Sequence, residues 1–149
     1  MSIDERAIWH EAGHPVVALS LGLRAADIWY KNGNFECTHT QCSGISPQHI
    51  IYTVLVAGAA SEKLRFNGYN AKGSSADAER IIKLGGTSID DYLPDALELL
   101  AAHQRELELM AEELGKKWCQ SAFSGRPNPF KVMSAEEIEG IHQSCDSVK

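Results

Sequence analysis

Residues 46–60 read SPQHIIYTVLVAGAA, and the organisation of the chain follows outward from them. Ser46 can cap a helix, and Pro47 suits its first position, where the missing N–H would have had no partner anyway. Ile50, Ile51, Val54, Leu55 and Val56 then run into the small residues Ala57 to Ala60, so the helix is apolar nearly all round. Such a helix belongs inside a core, with the other elements wrapped around it. The apolar run from Ile50 to Ala60 is well short of the ~20 residues that cross a bilayer, so no membrane span is expected.

On either side the elements are shorter and sharply punctuated. Ser2 with Glu5 forms a capping-box pattern that predicts a helix from near Ile3 towards Leu21, stopped by Gly22. In the 26–40 segment, Asn32-Gly33 predicts a two-residue hairpin turn that pairs Tyr30 with Phe35 and Ile28 with Cys37 on one face, leaving Trp29 and Glu36 on the other. Downstream, two glycines and two asparagines between Phe66 and Ser74 read as a loop. A short helix from about Ala76 to Leu84 follows, closed by Gly85-Gly86. Leu93, Leu97, Leu100, Gln104, Leu107, Ala111, Leu114 and Trp118 then recur at alternating steps of four and three, predicting one long amphipathic helix over 94–118. Ser124 to Pro129 is a turn-rich break, and Ser134 with Glu137 predicts a capped terminal helix. The expected fold class is mainly α: one compact helical domain over 1–149 with a single small β-hairpin.

Composition narrows the function classes. The chain has 149 residues and a formal net charge of -6. Residues 75–149 carry all of that surplus, with fourteen acids against eight bases. A net-negative chain without a basic stripe is not built to neutralise phosphates, so no nucleic-acid partner is expected. No charged-then-apolar leader opens the sequence, and the expected location is cytoplasmic. Cys37, Cys42, Cys119 and Cys145 are too scattered for a secreted scaffold and read as free thiols.

The chemistry is concentrated at His10-Glu11-Ala12-Gly13-His14. Residues four apart share a helix face, so His10 and His14 can offer two imidazoles to one metal ion, with Glu11 beside them as general base. Pro15 directly afterwards lacks the N–H that would bond back to Glu11, and a kink is expected there. A third protein ligand has to come from elsewhere, because Val17 and Ser20 stand where the longer metzincin pattern has Gly and His. Glu36 and Glu62 are downstream acids, the first in the hairpin and the second ending an apolar helix. Asp77, opening a short helix after a glycine-containing loop, is the better candidate, although the helix dipole alone favours an acid there.

The segments HEAGHPVVAL, VAGAASEKLRFNG, KGSSADAERI, HQRELELMAEEL and MSAEEIEGI, taken in this order, resemble the zinc-peptidase domain of the FtsH-type membrane-anchored AAA proteases. The resemblance covers nearly the whole chain. It implies one Zn2+ per chain, with His10, His14 and Asp77 as metal ligands, Glu11 as catalytic base and the hairpin as the edge that holds extended substrate. Departures are Pro15 in place of a small residue, weak similarity over 23–46, and Ala59 and Ser61 in a Gly-Arg-Ala-Ala-Glu-Glu pattern that Gly58, Ala60 and Glu62 do fit.

No phosphate-binding Gly-Lys-Ser/Thr loop is present, so the expectation is an ATP-independent metallopeptidase acting on flexible polypeptide. A separate ATPase or adaptor would then deliver folded substrates, and a homo-oligomer is in keeping with the ring-forming family. The alternative is a catalytically weak or inactive peptidase-like module that binds or regulates a partner. Outside the motif, Cys37, His39 and Cys42 form a local set of metal-ligand types at spacings unlike the usual paired zinc modules. His49, His103 and His142 read as helix-surface histidines, Trp9 as a packing residue, and Glu62 either as a carboxylate orienting a ligand or as a solvated helix end.

Overall fold

The computed structural model describes residues 5–37, 48–125, 127 and 129–146. Among them, in chain order, are α1 (Glu5–Ser20), β1 (Ile28–Lys31), β2 (Asn34–Cys37), α2 (Gln48–Phe66), α3 (Ser75–Lys83), α4 (Ile89–Ala102), α5 (Gln104–Phe123), β3 (Phe130–Met133) and α6 (Ala135–Asp146). The fold is mainly α with a small antiparallel sheet. Ser2, Ser46, Pro47, His39 and Cys42 lie outside the described residues, as do the side chains of Cys37 and His49.

Helix α2 is the central element, buried without interruption from Tyr52 to Glu62. Helix α1 packs along one side of it and α4 along another. The small residues of α2 are there for α1. A Cβ on Gly13 would stand 2.5 Å from the Ala57 carbonyl oxygen and 2.8 Å from Ser61 Cβ, so the two backbones meet where neither can carry bulk. The Ser61 hydroxyl donates to the Trp9 carbonyl at 2.5 Å and ties the same crossing. Gly13→Ala is expected to destabilise the chain by about 1–3 kcal/mol, as overpacking of a tight core does, read as a lowered denaturation midpoint in urea.

Helix α1 passes through Pro15 without a break. Pro15 is buried, and the carbonyl of Glu11 forgoes one helical bond rather than ending the helix. Gly22, at φ +82, then stops α1: its N–H donates to Leu19 and that of Leu23 to Ala18, the paired bonds of a Schellman cap. Gly85 closes α3 in the same way, with Gly86 donating to Ile81.

The hairpin has the expected register, Tyr30 opposite Phe35 and Ile28 opposite Cys37, around Asn32 and Gly33 with positive φ. It is not a free-standing pair, however. β3 adds antiparallel to β1, giving the order β2-β1-β3 and making β1 the central strand. The inner face of the sheet buries Ile28 and sets Tyr30 edge-on to Trp118 of α5 at 5.7 Å. Helix α6 begins with the reciprocal bonds of the Ser134–Glu137 capping box, at 3.0 and 3.1 Å.

The single helix expected over 94–118 is two helices. α4 starts five residues earlier, where the Ser88 hydroxyl accepts from the Asp91 N–H and Asp90 and Asp91 suit the first turn. His103 breaks the run with φ -121 and ψ 36, its Nδ1 held at 2.9 Å from the Leu99 carbonyl. The reason is packing: α4 buries Leu93, Ala96 and Leu100 and packs mainly on α2, whereas α5 buries Leu107, Met110, Leu114 and Trp118 and packs mainly on α1, with β3 and α6 beside it. A straight rod could not serve both partners, and a stripe that continues in sequence need not continue in space.

Among the described residues, no helix is long and apolar enough to cross a membrane. Among the described residues, Cys119 and Cys145 are thiols outside any disulfide.

Candidate metal centre

Three helices build one cluster. α1 contributes His10, Glu11 and His14, spaced so that the imidazoles stand edge to face with ring centroids 5.2 Å apart. α3 contributes Asp77 from its first turn. Its Oδ2 lies 3.2 Å from His10 Nε2 and 3.5 Å from His14 Nε2, so both Nε2 atoms converge on one carboxylate oxygen. Ligand atoms of His10, Glu11 and His14 also lie within 4.8 Å of one another. With bonds of about 2.0–2.1 Å, a tetrahedral zinc site has ligand-to-ligand edges of about 3.3 Å. The donor set and the two distances to Asp77 fit such an ion.

The back of each imidazole is fixed from α2. His14 Nδ1 donates to the Val54 carbonyl at 2.8 Å, and His10 Nδ1 faces Glu62 Oε2 at 2.7 Å. These bonds leave both Nε2 atoms to face Asp77, as outer partners of metal-binding histidines do. Glu62 is therefore no solvated helix end: it is 1% exposed, and its Oε1 also accepts from Arg6 and from the Asn70 N–H. Gly58 makes room for the ring, since a Cβ there would stand 2.4 Å from His10 Nε2. Gly58→Ala is expected to push His10 aside and to weaken Zn2+ binding by roughly tenfold or more, measured by competition with a chromogenic chelator.

Burial and charge work against each other throughout. Burial disfavours the cationic forms of His10 and His14, but the facing carboxylates together outweigh it: Asp77, Glu62 and Glu11 hold His10 up at about 10, and Asp77 with Glu11 keeps His14 raised. Burial also opposes ionisation of Asp77, and the two imidazoles overcome it, holding the carboxyl well below the usual range. Glu11 is the exception. Only 7% exposed, its carboxyl is pushed up by burial, and the nearby imidazoles offset this only in part.

The cluster opens into a cavity of about 440 Å³ lined also by Asn34, Phe35 and Glu36 of β2 and by Arg80. Glu36, weighed above as a third ligand, is an exposed residue of this wall, while Asp77 is the acid that meets both imidazoles. Pro15 does not turn His14 away, since its ring keeps both the Val54 and Asp77 contacts. Of the other histidines, His103 caps α4 and His142 Nδ1 lies 2.8 Å from the buried Glu106. Trp9 is partly buried against the core, as a packing residue should be.

Arg6, Asn70, Gly58 and the Val54 carbonyl gave no sign of their roles in the sequence. Glu62 did give one: an acid in the last turns of an apolar helix opposes the helix dipole and is costly unless it has partners.

No protein-family profile matches the chain, and a comparison with curated proteins found no match.

Proposed function

We propose that this chain is a zinc-dependent metallopeptidase that hydrolyses peptide bonds in flexible or unfolded polypeptide, of the kind found in the peptidase domain of FtsH-type AAA proteases. The observation that carries the reading is the convergence of His10 Nε2 and His14 Nε2 on Asp77 Oδ2 at 3.2 and 3.5 Å, beside a buried Glu11 and in the wall of an open cavity. His10, His14 and Asp77 would hold one Zn2+, which supplies the Lewis acidity that makes water nucleophilic near neutral pH and polarises a peptide carbonyl. Glu11 takes the proton of the attacking water and passes it to the leaving nitrogen, and a carboxyl raised by burial is suited to both transfers.

Substrate alignment falls to β2. With β3 on the far side of β1, β2 is an edge strand among the described residues, and it is the one at the cavity, which Asn34, Phe35 and Glu36 line. In a two-residue hairpin the closing pair, here Lys31 and Asn34, is hydrogen-bonded, so Asn34 and Glu36 face β1 while the main-chain groups of Phe35 face outward. An extended peptide can add there, main chain to main chain. Phe35→Pro removes the outward N–H and is expected to raise KM at least threefold with Zn2+ content unchanged; an unaltered KM would remove the support for strand addition.

The deciding experiment is metal analysis of the purified chain together with a cleavage assay on an unfolded protein. About one Zn2+ per chain with chelator-sensitive cleavage is the expected result. One bound Zn2+ without hydrolysis of any unstructured substrate would favour the binding or regulatory module, and no zinc uptake would overturn both readings. Delivery by a separate ATPase or adaptor, self-assembly into a homo-oligomer and a cytoplasmic location belong to this proposal as well.

A further inference from the structure

Arg6 lies outside the ligand set and outside every motif in the chain, yet from α1 it touches both α2 and the loop that leads to α3. It sits one turn before His10 on α1. Its Nη1 reaches Glu62 Oε1 at 3.2 Å on α2 and donates to the Gly68 carbonyl at 2.8 Å, in the loop that leads to α3 and Asp77. The guanidinium is steadied over the Phe66 ring, 4.7 Å from its centroid. Asn70, in the same loop, donates its N–H to the same Glu62 oxygen at 3.2 Å.

We infer that Arg6 is a positioning residue that sets the metal affinity of the site through Glu62 and the 67–74 loop; the inference rests on the metallopeptidase reading. Two routes lead from the one guanidinium. Through Glu62, whose other oxygen holds His10 Nδ1 at 2.7 Å, it fixes the direction of His10 Nε2. Through Gly68 it fixes the loop that delivers Asp77. Glu62 is 2% exposed at its side chain, so its charge depends on these few donors, and losing Arg6 leaves Oε1 with the Asn70 N–H alone among the bonds described. An Arg suits this because Nη1 spends its two N–H groups on the carboxylate and the carbonyl while the flat guanidinium lies over the Phe66 ring, a planar face that a Lys ammonium lacks.

The test compares Zn2+ affinities of the full chain, by chelator competition, for wild type, R6K, R6Q, E62Q and the R6Q/E62Q double variant. The thermal midpoint of each metal-free protein serves as control for folding. R6Q is expected to weaken Zn2+ binding about tenfold and E62Q tenfold to a hundredfold, the usual range for partners of metal ligands. R6K should fall between wild type and R6Q. The double variant should bind about as weakly as E62Q alone, because the loop route closes on Glu62 as well, through the Asn70 N–H. A purely structural role would lower the midpoint without this coupling. Wild-type affinity in R6Q, or losses in R6Q and E62Q that simply multiply, would overturn the inference while leaving the metal site standing. A wild-type chain that takes up no Zn2+ would overturn the metallopeptidase reading and this inference together. Should R6Q fail to fold, R6K decides: affinity equal to wild type overturns the inference, and a loss of about threefold or more that vanishes in the E62Q background sustains it.

Discussion

Glu11→Gln is expected to abolish hydrolysis of an unfolded substrate while leaving the Zn2+ content at about one per chain. Gln has nearly the shape of Glu, and a neutral amide is easier to bury than a carboxylate that burial already disfavours. The fold and the His10–His14–Asp77 set should therefore survive. What disappears is the group that accepts the proton of water. Positioned acid–base groups contribute roughly 10²–10⁴-fold to rate, so kcat should fall by that factor with a smaller change in KM. Steady-state rates paired with metal analysis of the same preparation check this. Cleavage at the wild-type rate would remove Glu11 from the mechanism, and loss of the metal would make it a ligand instead of a base.

Asp77→Ala should act in the opposite way, on the metal first and on the rate as a consequence. Zinc bound at four positions in small protein sites is held by about 10–16 kcal/mol, or about 3 kcal/mol for each position if shared evenly. Removing one ligand then weakens Zn2+ binding by roughly a hundredfold. Asp77→Asn should lose nearly as much, since a neutral amide lacks the charge that the two imidazoles meet at 3.2 and 3.5 Å. Chelator competition measures the change, and retention of zinc at wild-type affinity would exclude Asp77 from the ligand set. The two substitutions thus separate base from ligand within one cluster.

Much of the candidate site is legible in the sequence because its parts are local. His10, Glu11 and His14 lie within five residues, and helical spacing alone puts both imidazoles on one face. Asp77 was legible only in part. Its place in the first turn of α3 has an ordinary explanation in the helix dipole, and nothing in the spacing from residue 14 to residue 77 says that the two must meet. Glu62 stood between two readings, and its burial against His10 and Arg6 decides which one applies. Arg6 was not legible at all: the contacts that tie it to the site reach 56 to 62 residues along the chain, to Glu62, Phe66 and Gly68.

The fold divides along the same line. Helix caps, stops and the hairpin turn depend on a few neighbouring residues: Gly22 and Gly85 need only a positive φ, Asn32-Gly33 only a tight turn, and Ser134 with Glu137 only each other. These the chain determines by itself, and with them a mainly α architecture around the 48–66 helix. The break at His103, the docking of Phe130–Met133 onto β1 and the closeness of α1 to α2 were decided only in three dimensions. In each case the residues involved satisfy a partner far along the chain. The same holds for the candidate metal centre: the sequence determined which groups could bind, and tertiary packing decided that Asp77 meets the histidines, Glu62 holds one of them, and β2 borders the cavity that they line.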